Sequence, residues 1–262
     1  MEFKFDQKRL MATGLFKTSA DLMIFLIARL LAEADGPIGS WRLKADLDGE
    51  GIKYGTATIG RHLKQLDSMG FTVQRGNRGR ELTSQGKAWL ENISNRLTRL
   101  MIRDNLTSSI QVNELSDMID LMKARKLIEV EAARLAALNA TPEDLEEIQR
   151  TLDLHHHHVE ANLDPMEPAL AFHLAISKAS HNKFIHAVLS LLAYEERLIE
   201  SEIEELCTRE LGKAYVITHE GIAKAIRERK SDEAAELMEV HMSEILTDVK
   251  GQVGKKGDLL SP

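Results

Sequence analysis

Apolar residues recur at helical spacing along most of the chain, and glycine or proline closes many of the runs. Ser19 to Ala34 predicts a first helix, with Ser19 or Asp21 as its cap and Gly36-Pro37 as its stop. Ser40 is placed to cap a short second helix that turns Leu43 and Leu47 inward and ends at Gly49 and Gly51. A third helix is expected from about Thr56 to Met69, with Ile59, Leu63 and Leu66 on one face and Gly70 behind it. The period then changes. In FTVQRGNRGRELT two β-prone pieces, Phe71–Gln74 and Glu81–Thr83, flank the turn-forming Gly76-Asn77-Arg78-Gly79. Helix, helix, helix, hairpin is the order of a winged helix-turn-helix.

From Gln85 to about Leu106 an amphipathic helix is expected as a connector, and Thr107-Ser108-Ser109 reads as the most linker-like stretch. Beyond Glu114 the pattern is helical almost throughout, with helices near 114–138, 142–160, 166–180, 183–206, 209–229 and 232–250. Thr141-Pro142-Glu143-Asp144 is a strong helix start: a capping threonine, proline in the first turn, and acids at the positive end of the dipole. The predicted layout is a winged helix-turn-helix over 1–92, a helical connector over 93–113, an all-helical bundle over 114–250 and a flexible tail over 251–262. The fold class is mainly α.

Length and composition agree with that layout. A chain of 262 residues, 43% hydrophobic and 29% charged, has material for two cores and is too apolar for disorder. The single cysteine, Cys207, excludes an internal disulfide framework and a cysteine-based zinc finger, suits a reducing cytosol, and reads as incidental beside a helix break. Leu22 to Leu31 is interrupted by Arg29 and falls far short of the roughly 20 residues a membrane crossing needs. The opening MEFKFDQKRL lacks an apolar signal region, so a cytoplasmic protein with no membrane partner is expected. The net charge of -7 is unevenly spread: residues 1–92 carry 14 Lys and Arg against 11 Asp and Glu, and the remainder 20 against 30. A polyanion partner for the front part and a different task for the rear follow as expectations.

In a helix-turn-helix the third helix enters the major groove. With Ile59, Leu63 and Leu66 inward, its other face offers Thr56, Thr58, Arg61, His62 and Gln65. Arginine and glutamine pair bidentately with guanine and adenine, and a threonine methyl can meet thymine; a merely solvated helix face is the plain alternative. Arg75, Arg78 and Arg80 stand on or beside the hairpin tip, where a wing meets phosphates or the minor groove. The run GPIGSWRLKADLDGEGIKYGTATIGRHLKQLDSMGFTVQRGNRGRELTSQG resembles the winged-helix module of ribonuclease R and of the archaeal nitrogen regulator, over roughly residues 20–92. That resemblance implies nucleic-acid binding, to DNA or to RNA.

Three histidines lie on inward stripes of successive helices: His173 with Ala169, Phe172 and Ile176; His219 with Tyr215, Val216, Ile222, Ala223 and Ile226; His241 with Ala234, Leu237, Met238 and Ile245. Singly, each reads as a core histidine bonded to backbone or carboxylate. Together, mutual satisfaction by a divalent metal competes with that reading, because a buried polar group without a partner costs on the order of 1–3 kcal/mol. The run His155 to His158 splays around a helix and reads as a solvated end, while His181 and His186 show no evident partner.

The same region resembles the effector-binding domain of FadR-type regulators in the GntR superfamily, through ARKLIEVEAARLAALNATPEDLEEI, FHLAISKASHNKFI and THEGIAKAIRERKSDEAAELMEVHM, over about residues 115–248. The resemblance implies an all-helical bundle that binds small acids, often over a metal such as zinc or nickel held by His173, His219 and His241. It implies an effector-facing role for Arg125, and Glu129 is placed in the effector site with it; the plain alternative is an i,i+4 pair between the two. Two departures stand out. Ala169 occupies the position of the usual aspartate one turn before the first histidine, and the usual GntR winged helix with its proline-serine-glutamate opening is absent. The expectation is a homodimeric regulator, a repressor by the commoner arrangement, that binds operator DNA under control of a small organic acid and is no enzyme. The competing classes are a metal-dependent hydrolase using the three histidines and an RNA-binding accessory protein.

Overall fold

Thr18 opens the first long helix of the N-terminal unit. Its hydroxyl accepts from the Asp21 N–H at 3.1 Å while the Asp21 carboxylate accepts from the Thr18 N–H at 2.9 Å, a reciprocal capping box. The cap is therefore one residue earlier than the expected Ser19. The computed structural model describes residues 7–112, 114–202 and 212–259, which divide into two units, Met1–Ser109 and Ile110–Pro262. Cys207, the last residues of the helix expected over 183–206 and the first of that expected over 209–229 lie outside the described residues.

The N-terminal unit runs α1 (Gln7–Ala12), α2 (Ser19–Glu33), α3 (Ser40–Gly49), α4 (Thr56–Ser68), β1 (Thr72–Gln74), β2 (Arg80–Leu82) and α5 (Ser84–Ser109). The short α1 carries too little periodicity to be expected from sequence. Leu22 through Ala28 are all buried because α2 is packed on several sides, by α1, α3, α4, α5 and β2. Gly39, not Ser40, holds the cap position of α3, since its extended backbone leaves Ser40 as the first helical residue. The antiparallel register pairs Thr72 with Leu82 and Gln74 with Arg80, and a bridge from Arg80 to Ile38 adds a third short limb to the wing. One turn of 3-10 helix, Gly76–Arg78, makes the tip. The expected linker Thr107-Ser108-Ser109 is the last turn of α5, where the Thr107 and Ser108 hydroxyls donate to the carbonyls of Arg103 and Asp104.

The C-terminal unit consists of α6 (Leu115–Asn139), α7 (Pro142–Glu160), α8 (Met166–Ala179), α9 (Lys183–Glu202), α10 (Gly212–Arg227) and α11 (Ser231–Leu259). Residues 251–259, expected as a flexible tail, continue α11. Central α6 packs against α8, α9, α10 and α11. Its buried Ala132, Ala133, Ala136 and Ala137 are small enough for close approach of α11, which carries Ala234, Met238 and Met242. Four helices packed on α6, with α7 against α8 and α10, bring inward-facing polar residues from separate elements to one region.

Candidate functional site

The three histidines converge. His219 Nε2 lies 2.9 Å from His241 Nε2, and His241 Nε2 lies 3.3 Å from His173 Nε2, with all three rings buried. One ring nitrogen from each residue lies within 4.8 Å of the other two. The remaining nitrogens turn outward to separate partners. His241 Nδ1 is 2.8 Å from Thr218 Oγ1, whose own hydroxyl donates to the Tyr215 carbonyl at 2.9 Å. The threonine oxygen therefore accepts, His241 Nδ1 carries the proton, and His241 Nε2 presents a lone pair. His173 Nδ1 faces Glu129 Oε2 in an ion-pair contact, and neither atom has another partner. The carboxylate places a proton on His173 Nδ1, so the neutral form of His173 presents its Nε2 lone pair toward His241.

Two lone pairs 3.3 Å apart in a buried site repel unless a cation lies between them. Four-coordinate zinc with bonds of ~2.0–2.1 Å places its nitrogen ligands roughly 3.4 Å apart. A carboxylate behind a ligating imidazole, as Glu129 stands behind His173, is also a usual outer partner of a metal site, while Thr218 backs His241 and His155 meets the outer nitrogen of His219. The residues present thus fit a divalent metal. Burial, then the neighbouring His241, His173 and His155, holds His219 well below the usual histidine pKa; burial and His173 do the same for His241, against the opposing pull of Glu129. Both are kept in the neutral form that binds metal.

Sequence reasoning missed a fourth histidine. His155, read as part of a solvated run, is 1% exposed and its Nδ1 lies 3.1 Å from His219 Nδ1. Burial first, then His173, lowers its pKa to about 4. The signal was available, because Ile148, Thr151, Leu152 and His155 form one buried stripe of α7 at i, i+3, i+4 and i+7. The rest of the run is nearer the surface, with His156 paired to Glu220 and His158 to the Asp164 carbonyl. His181 and His186, expected without partners, meet Asp144 Oδ2 at 2.7 Å and Ser177 Oγ at 2.8 Å.

Arg125 and Glu129 do form the i,i+4 pair, at 2.6 Å from Nε to Oε1, but both are buried rather than solvated. Arg125 Nη1 also contacts Glu196 Oε2 of α9. Burial alone would raise the Glu129 carboxyl, yet Arg125 and then His173 bring it to about 2. Arg125 is held charged because Glu129 and Glu196 outweigh the opposing effect of burial. At the position of the missing aspartate, Ala169 offers no ligand atom.

In the N-terminal unit Ile59, Leu63 and Leu66 are buried, which leaves Thr56, Arg61 and Gln65 exposed and Thr58 and His62 half-buried on α4. Arg61 donates to Thr58 Oγ1 at 3.2 Å. The wing arginines differ from one another. Arg78 is exposed at the tip; Arg75 is pinned to Glu81 at 2.6 Å; Arg80, 18% exposed, grips both Asp67 oxygens at 2.8 and 3.0 Å. Arg80 ties the wing to the end of α4 and is not presented to a ligand as Arg78 is.

Residues 120–244 match the FCD domain, and residues 25–90 match the ribonuclease R winged-helix domain. The chain thus carries an FCD match in its C-terminal unit and a winged-helix match in its N-terminal unit. Part of the chain is similar to the Uxu operon regulator of Haemophilus influenzae, 26% identical over 130 residues that make up 48% of this chain and 48% of that protein. Part of the chain is similar to the global nitrogen regulator NrpRI of Methanosarcina mazei, 38% identical over 61 residues, 23% of this chain and 19% of that protein. The chain thus spans about half or less of each curated relative. Among solved structures, GntR of Streptococcus agalactiae aligns with 87% of this chain and 99% of its own at 20% identity and a TM-score of 0.45. A GntR family regulator of Pseudomonas syringae aligns with 97% and 98% at 18% identity and a TM-score of 0.45. No helix among the described residues is long and apolar enough to cross a membrane.

Proposed function

We propose that this chain is a DNA-binding transcription regulator of the cytoplasm whose FCD domain senses a small carboxylate-bearing effector over a divalent metal. The observation that carries the sensing half is the convergence of one ring nitrogen each from His173, His219 and His241, with Glu129 behind His173 and Thr218 behind His241. A metal bound there supplies a Lewis-acid anchor for an effector oxygen. The chain's own part is to hold His219 and His241 neutral, and all three imidazoles aimed inward and shielded from water. Support for the DNA half comes from the exposed face of α4 and the Arg78 tip, together with the regulator names of the curated relatives. Arg61 and Gln65 are the side chains suited to base edges, and Arg78 to phosphate. Dimerisation follows from the need to match two half-sites with two reading heads, and repression is the proposed sense of control.

A hydrolase reading needs a general base facing the metal-bound water. Glu129 does not serve, because its two oxygens are engaged by Arg125 and by the outward nitrogen of His173. The regulator reading is tested by binding of the full chain to the duplex upstream of its own gene, against RNA and unrelated duplex of equal length. A preferred site on the upstream duplex supports it; equal, sequence-blind binding to all three overturns it in favour of an RNA-binding accessory role.

A further inference from the structure

Arg125 is the arginine that the effector-domain reading assigns to a ligand carboxylate, yet it is 2% exposed and two of its nitrogens are already occupied. Glu129 is its neighbour one turn along α6 and also orients His173, so that pair belongs to the metal-ligand framework. Glu196 is different. It arrives from α9, 71 residues away in sequence, and sets one carboxylate oxygen against Arg125 Nη1. A guanidinium grips a carboxylate through two parallel N–H donors, so an incoming carboxylate would have to compete with Glu196 for this edge. Two carboxylates around one guanidinium also leave the buried cluster with an excess negative charge, and burial pushes the Glu196 carboxyl above its usual range.

We infer that Glu196 is a built-in stand-in for the effector's carboxylate: it caps Arg125 in the ligand-free protein and sets the affinity threshold and acid selectivity of the site. This inference rests on the effector-binding reading of the domain. A ligand that takes Arg125 displaces Glu196, and α9 is the element that carries the displaced side chain. A weakly competing monocarboxylate is excluded, while an acid that gains further contacts can pay the exchange. Sequence contains a pointer to this role, since Leu189, Ala193 and Glu196 share a buried stripe of α9 on which a glutamate is out of place.

Glu196→Ala removes a fragment that is chemically acetate, so acetate is the probe. The melting temperature of the full-length protein is followed against acetate at constant ionic strength, with neutral acetamide as the control. The expected result is a saturable rise for Glu196→Ala with an apparent Kd at least tenfold tighter than wild type, and no rise with acetamide. Glu196→Gln keeps the shape but presents a neutral amide, and is expected to fall between the two. Equal responses of wild type and Glu196→Ala, or acetamide acting as well as acetate, overturn the inference. If Glu196→Ala does not fold, Glu196→Gln against wild type decides in the same way. No DNA enters this experiment, so its failure is separate from a failure of the regulator reading.

Discussion

Thr218 decides which nitrogen of His241 carries the proton, because its hydroxyl hydrogen is committed to the Tyr215 carbonyl and only its lone pairs remain for the ring. Glu129 does the same for His173 by charge. Removing such an outer partner leaves the ligand in place but free to rotate or change tautomer, which typically lowers metal affinity about 10–100-fold. Thr218→Val is therefore expected to weaken metal binding by that factor in chelator competition, with the fold intact. An unchanged affinity would show that the hydroxyl does not orient the ring. His219→Ala removes a ligand outright, and elemental analysis of protein purified without a tag should then find no stoichiometric metal. Metal retained at the wild-type ratio would mean that the three rings are not its ligands.

At the scale of elements, the wing depends on a backbone approach that only glycine permits. Gly79 has φ +121, and a Cβ there would lie 2.2 Å from the carbonyl carbon of Ile38, whose N–H and C=O bond Arg80. Gly79→Ala is expected to cost about 3 kcal/mol or more, combining backbone strain with loss of that bridge. The cost should appear as an earlier transition of the N-terminal unit in calorimetry, with metal content unchanged; an unaltered melt contradicts the assigned contact. The arginines of α4 and the wing should separate by role. Arg61→Ala is expected to lose about 1–3 kcal/mol on its preferred site and to relax specificity there. Arg78→Ala should weaken all duplexes alike and lower the salt slope by about 1. Arg80→Ala should act through wing stability, since Asp67 holds that side chain. Salt-dependent binding isotherms and melts of the three variants distinguish these outcomes.

The elements themselves were legible wherever the apolar period was long and its ends were marked. Ile59, Leu63 and Leu66 announce α4, and Thr141-Pro142 announces α7. Caps were less legible, because Thr18 and Ser19 are both good capping residues and the choice depends on backbone angles. The inward turn of His173, His219 and His241 was readable from their stripes, but their mutual distance was not, as it depends on packing against α6. His155 was lost in a run of like residues although its stripe selected it. The Glu196 contact, spanning 71 residues, left a misplaced charge as its only trace.

At the scale of the whole molecule, the proposed function gives the chain two tasks: the front unit would read a duplex, and the buried histidines of the rear unit would hold a metal for an effector. A ligand shifts a conformational equilibrium only by its differential affinity for the two states. A metal held by the three histidines would bind the folded bundle and not the unfolded chain, so chelation should lower the melting temperature of the C-terminal unit. The most direct test of the joint claim is the affinity of the full chain for the duplex upstream of its own gene, measured zinc-loaded and metal-stripped, for wild type and His219→Ala. The account predicts at least a fivefold difference between the two wild-type states and none for the variant. Identical wild-type isotherms, or a variant that responds to zinc as wild type does, would contradict it.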